Sequence, residues 1–144
     1  MQRGKYVIPF SQLRMTDVES VGGKNASLGE MLSQLSAAGV RVPDGFATTA
    51  EAFRLFLDHG KLRERIAQRL ASLKVDDVRA LATAGEEIRG WIGAASFPKQ
   101  FQTEITSIFQ ELEAEDSSKV SFAVRSSATA EDLPEASFAA QQET

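Results

Sequence analysis

Between Lys61 and Glu115 apolar residues return every three or four positions with hardly a break, and no other feature of the chain narrows its fold so far. Leu62, Ile66, Leu70 and Leu73 make one stripe. Val78, Leu81, Ile88 and Ile92 make a second, and Phe101, Ile105, Ile108, Phe109 and Leu112 a third. Residues at this spacing share one face of an α-helix, so each stripe predicts an amphipathic helix laid against a core. Asp76 or Asp77 stands where an N-cap is needed for the second helix. Pro98 stands near the first position of the third, where its missing N–H does no harm.

The segments on either side carry strands and turns. Tyr6 to Phe10 reads as a short first strand, and VGGKNASLGEMLSQLSAAGV as a glycine turn entering a helix whose apolar stripe is Leu28, Met31, Leu32 and Leu35, with Gly39 as its stop. RVPDGFATTA holds a Pro and Asp-Gly turn signal, then a brief apolar strand leading into a helix capped by Thr48 or Thr49. Phe53, Phe56 and Leu57 form the buried side of that helix, and Gly60 ends it. Beyond the polar patch EAEDSSK the period becomes two: Val120, Phe122 and Val124 face one way, Ser121, Ala123 and Arg125 the other. This predicts a strand with one packed face, followed by a loop over SSATAEDLPEAS and the opening of another strand in FAAQQET. The fold class expected is α+β, helix-rich, with a few strands supporting a loop.

Several chemistries are excluded early. The chain has no cysteine and a single histidine, His59, so neither a disulfide framework, a thiolate nucleophile nor a histidine metal cluster can be built from it. A net charge of −4 disfavours a duplex-binding surface, although two or three cations can still gather around a small anion. The opening MQRGKYVIPF has no apolar run long enough for a signal peptide or membrane span, which points to the cytoplasm. At 144 residues one domain is the default.

Two cations stand in suggestive settings. In GGKN, paired glycines before a helix allow a ligand close to the backbone, and the N–H groups of the first turn form an anion site that Lys24 would strengthen. The spacing is not that of a P-loop, and a glycine turn with a solvated lysine fits as well. Arg125 ends the predicted strand beside small residues and leads into Ser126, Ser127 and Thr129. A guanidinium stays charged and can grip two phosphate oxygens; equally, it could be tied to Glu131, Asp132 or Glu135 as a loop clasp. Those three acids lack the ligand spacing of a calcium loop. His59 reads as a helix-end residue beside terminal carbonyls, and Trp91 as a core or interface anchor.

Taken in order, VGGKNASLGEM, VPDGFATTAEAF and VRSSATAEDLPEASFAAQQET resemble the amino-terminal end of the phosphoenolpyruvate synthase family, pyruvate, water dikinases related to pyruvate phosphate dikinase and rifampin phosphotransferase. The resemblance runs from about Tyr6 to Thr144, with specific first and last blocks and a generic helical middle. It implies that residues 1–144 are the first subdomain of an ATP-grasp nucleotide-binding domain, with the phosphohistidine and pyruvate-binding barrel domains absent. It also implies that ATP is bound, that magnesium ligands lie outside these residues, and that a full-length homo-oligomeric enzyme makes phosphoenolpyruvate, AMP and phosphate from pyruvate, ATP and water. The resemblance places Lys24 and Arg125 on the ATP phosphates, Arg125 with a catalytic part, and carries Gln141 and Thr144 over to a lid above them. Ala140 departs from the pattern, which has glycine there. The lysine and arginine blocks are shared with rifampin phosphotransferase, and a noncatalytic helical module is the remaining alternative.

Overall fold

A buried apolar cluster lies in the turn-rich amino-terminal part of the chain. In a computed structural model, described for residues 3–74, 76–115 and 121–129 and for the backbone of 132, 133, 136 and 137, the chain forms two compact units, residues 1–52 with 100–144 and residues 53–99. In the first, β1 (Val7–Pro9) pairs antiparallel with β2 (Phe46–Thr48), Val7 opposite Thr48 and Pro9 opposite Phe46. Both strands were expected. Pro9 sits at the end of its strand, where the absent N–H removes no ladder bond from the interior.

A short helix α1 (Val18–Val21) leads through Gly22 into α2 (Gly23–Leu35), which continues as a 3-10 turn to Gly39 in the left-handed conformation. The face that α2 buries differs from the one expected. Met31 and Leu35 are exposed, Leu28 and Leu32 only half-buried, and the fully buried positions are Ala26 and Gly29. Small residues win because the neighbouring segment comes in at backbone distance: a Cβ on Gly29 would meet the Leu13 side chain and lie 2.7 Å from the Leu13 carbonyl and 2.8 Å from that of Phe10. Around this approach Ile8, Leu13, Val21, Ala26 and Ala47 form the core, flanked by Phe10 and Val18.

Thr49 caps α3 (Ala50–Asp58), its hydroxyl accepting from the Ala52 N–H at 3.1 Å, as one of two expected choices. The chain passes into the second unit within this helix. Phe56 is buried there and its ring lies 5.6 Å from that of Phe97, whereas Phe53, expected inside, is 56% exposed. Helices α4 (Leu62–Ala71) and α5 (Val78–Ala94) follow, and Asp77 caps α5 by accepting from the Ala80 N–H at 3.0 Å. The hairpin is fastened by polar clasps as much as by its stripes. Arg69 pairs with Glu87 at 2.6 Å and the Arg65 guanidinium lies 3.8 Å from the centre of the Trp91 ring, while Leu70 and Val78 are exposed.

Helix α6 (Lys99–Glu115) returns to the first unit and buries Phe101 and Ile108. Glu104 on it accepts from the N–H groups of Tyr6 at 2.9 Å and Val7 at 3.0 Å, fixing the start of β1. The strand expected over 120–125 does not form among the described residues: 121–128 have no regular structure, and Val124 is 86% exposed. An alternating sequence needs a neighbouring strand to satisfy its backbone, and no pairing of 121–128 is seen. Two short strands, β3 (Asp132–Leu133) and β4 (Ala136–Ser137), pair within the segment expected to be a loop. Val120 and residues 138–144 lie outside the described residues.

Replacing Gly29 with Ala should lower stability by about 1–2 kcal/mol, because overpacking against two carbonyls outweighs the helix propensity gained. Gly90→Ala, with no heavy atom within 4 Å of the added carbon, should raise it by roughly 0.5–1 kcal/mol. Urea unfolding of the two variants checks both signs, and a Gly29→Ala protein as stable as the parent would refute the close-approach account.

Candidate functional site

Gly22 sits at the joint between two helices. Its N–H donates to the Val18 carbonyl at 2.8 Å, ending α1, while its own carbonyl accepts from Ala26 at 3.1 Å, beginning α2. Between these bonds the backbone reverses with φ 82° and ψ 159°, a conformation open essentially to glycine alone. No side chain caps α2 at this joint, so its first turn offers N–H groups of the kind that receive anions. Lys24, the second residue of the helix, is exposed.

The second predicted segment reaches this same joint. Ser127 donates its hydroxyl proton to the Val21 carbonyl at 3.0 Å across 106 positions of sequence. Asn25 donates its side-chain amide to the same oxygen at 2.8 Å. A Cβ on Gly22 would run into the Ser127 hydroxyl and lie 2.7 Å from the Ala128 carbonyl. Gly22 is thus required twice, for its backbone angles and for the room it leaves. Phe122 packs against Phe109 of α6 with ring centres 5.0 Å apart and planes tilted by 44°, giving the segment a second anchor before Arg125. Arg125 itself is exposed.

Folding therefore brings together the two segments that carry Lys24 and Arg125. Gln141 and Thr144, together with Ala140, lie outside the described residues, as do Glu131 and Glu135. His59 belongs to the other unit, in a 3-10 turn at the end of α3, the structural position expected of it. Trp91 is half-buried beneath Arg65, an anchor within its hairpin. Sequence reasoning missed the tying roles of Ser127 and Asn25. It also missed Glu104, whose one visible signal is an acid set beside the Phe101, Ile105 and Ile108 stripe.

The approach to the joint is held by charge. Arg3 lies 2.7 Å from the Asp17 carboxylate and also donates to the Gln12 carbonyl at 3.1 Å. The Arg14 N–H donates to Asp17 at 2.9 Å. The hydrogen bond from Arg3, helped by that from the Arg14 backbone, holds the Asp17 carboxyl below its ordinary range. Among the described residues no group of three or more His, Asp or Glu side chains could hold a metal ion.

Comparison with known proteins places this geometry in context. Residues 18–144 match the family model of the pyruvate phosphate dikinase AMP/ATP-binding domain. The chain is 62% identical over 140 residues to phosphoenolpyruvate synthase of Neisseria meningitidis serogroup B, covering 96% of this chain and 18% of that protein. It is 54% identical over 138 residues to the synthase of Escherichia coli K12, with 96% and 17% covered, and 45% identical over 139 residues to that of Aquifex aeolicus, with 96% and 16% covered. The chain spans less than a fifth of the length of these curated relatives. It belongs to the pyruvate phosphate dikinase AMP/ATP-binding domain family.

The Asp17 tie has a pH signature. Because its carboxyl titrates lower in the folded chain than in the unfolded one, the unfolded state binds more protons and stability rises with pH. The contribution is complete above the unfolded value, about 3.9, and is lost as pH falls through the folded one. Asp17→Asn should be less stable than the parent at pH 7, with the gap closing below about pH 4. Denaturant titrations across that range test it, and parallel pH profiles would refute it.

Proposed function

We propose, on the premise of that membership, that the chain is the ATP-binding portion of a phosphoenolpyruvate synthase and the first subdomain of an ATP-grasp domain. The observation that carries the reading is the junction of the Gly22 turn with Ser127 and Ala128, because it draws the Lys24 and Arg125 segments to one place. A solvated lysine and an unrelated loop clasp would not require the two segments to meet.

In this reading the triphosphate of ATP lies against the first turn of α2. Backbone N–H groups there supply fixed donors, and the Lys24 ammonium supplies a mobile point charge that follows the phosphate oxygens. Arg125 presents a planar fork that can take two oxygens of the transferring group and offset the charge that grows on them during transfer. Gln141 and Thr144 close over the phosphates from the lid. Magnesium would offset the negative charge of the phosphates; the described residues supply no carboxylate cluster for it, and its ligands are proposed to lie in further parts of the enzyme.

With one water consumed and one phosphate released, ATP is converted to AMP and leaves a phosphoryl group on a histidine of another domain, which passes it to pyruvate to give phosphoenolpyruvate. The names of the relatives favour pyruvate over an antibiotic as the acceptor, and family membership favours a nucleotide site over a noncatalytic helical module. The enzyme is assigned to the cytoplasm as a homo-oligomer, without nucleic-acid or membrane partners. No helix among the described residues is long and apolar enough to cross a membrane.

Lys24→Ala and Arg125→Ala should each weaken ATP binding by about 10- to 100-fold, as expected for loss of a charge-assisted contact, with little change in thermal midpoint. Calorimetric titration of the chain with ATP measures this, and unchanged affinity in both variants would sink the assignment. The chain alone should release no AMP when given ATP and pyruvate; pyruvate-dependent AMP release would overturn its reading as one portion of a larger enzyme.

A further inference from the structure

We infer that Ser127 is a positioning residue for the nucleotide site: by donating to the Val21 carbonyl it holds Arg125 at the entrance to α2 rather than contacting the phosphate itself. The inference rests on the proposed ATP site and assigns within it a role distinct from phosphate ligation.

Ser127 stands in a run of hydroxyl residues that could all be read as phosphate donors. A hydroxyl has one proton to give, and that of Ser127 is directed to Val21. The acceptor is unusual in its surroundings. Val21 is buried, the chain reverses immediately after it, and its carbonyl also receives the Asn25 amide, so both lone pairs have partners. The Gly22 turn adds a steric half to the contact, since its missing Cβ is the space that Ser127 and Ala128 occupy. A loop fitted against a glycine in this way has little freedom to slide.

What the contact controls follows from its position. Residues 121–126 are exposed and lack regular structure, so no ladder of backbone bonds sets the direction of Arg125. Two ties bracket it: the Phe122 ring on Phe109, three residues before, and the Ser127 hydroxyl on Val21, two residues after. Release of the second would remove the tie of Ser127 to the Gly22 joint and would raise the ordering cost of closing on a ligand. Asn25, the residue after Lys24, grips the same oxygen, so one carbonyl fixes both cation-bearing segments.

The test uses the chain with ATP as probe and compares Ser127→Ala, Ser127→Thr, Arg125→Ala and the double variant Ser127→Ala/Arg125→Ala. Loss of one hydrogen bond predicts a roughly fivefold rise in the Kd for ATP in Ser127→Ala, with Ser127→Thr recovering parent affinity. The double variant should bind no more weakly than Arg125→Ala, because Ser127 acts through that arginine. Tryptic cleavage after Arg125 should accelerate severalfold in Ser127→Ala, while cleavage after exposed Arg79 in the other unit keeps its rate and reports an intact fold. Independent losses in the double variant, or unchanged cleavage and affinity in Ser127→Ala, overturn the positioning role while leaving the ATP site standing. If cleavage accelerates but Arg125→Ala and Lys24→Ala bind ATP like the parent, the ATP site itself falls and the hydroxyl is a strut alone.

Discussion

One carbonyl oxygen organises the candidate site. Val21 ends a helix, its side chain is buried, and the following glycine turns the backbone so that the oxygen meets donors from Asn25 and Ser127. A buried acceptor left without a partner costs roughly 1–3 kcal/mol, so this oxygen favours the arrangement in which the distant loop is docked. The two donors come from the two motifs that carry the cations. Geometry at a single atom thereby sets the relation between Lys24 and Arg125 more firmly than either exposed side chain could.

The rest of the first unit supports that oxygen from behind. Ala26 and Gly29 let α2 sit down on the segment around Leu13, and the Ile8, Leu13 and Ala47 contacts tie α2 to the two-stranded ladder. Glu104 holds the start of β1 through two backbone N–H groups, and on the same helix Phe109 receives Phe122. Helix α6 therefore steadies both the ladder behind the turn and the loop in front of it. Small residues and backbone contacts dominate this region, whereas the second unit relies on the Arg69–Glu87 pair and the Arg65–Trp91 stack.

Much of this was legible from residue spacing. Helices over the middle of the chain, the caps at Thr49 and Asp77, and both strands of the first ladder follow from periodicity and local hydrogen-bonding chemistry, which act within a few residues. The face of α2 was misread because the stripe of Leu28, Met31, Leu32 and Leu35 signals hydrophobicity, while the true contact needs absence of bulk at Ala26 and Gly29. Alternation over 120–125 marked a strand, yet strand formation depends on a neighbour that no local pattern can supply. For the site, GGKN and RSSA were identifiable as motifs. Their meeting at Val21 was not, since a contact across 106 positions leaves no periodic trace.

The distribution of acids bears on how a chain with net charge −4 could take the polyanion proposed for it. Within the first unit Asp17 faces Arg3, Glu51 faces Lys5 at 2.7 Å, Glu30 accepts from the Met15 N–H and the Gln34 amide, and Glu104 accepts from Tyr6 and Val7. Each of these carboxylates thus has a donor of its own, and a paired charge projects a weaker field than a bare one. Fields from exposed charges fade over a Debye length of about 8 Å at physiological salt, so for any bound anion the total matters less than what stands nearest it. At the joint stand a helix N-terminus and two segments, carrying Lys24 and Arg125, that are tied to one oxygen, so the proposed polyanion would meet positive charge there in spite of the global sign.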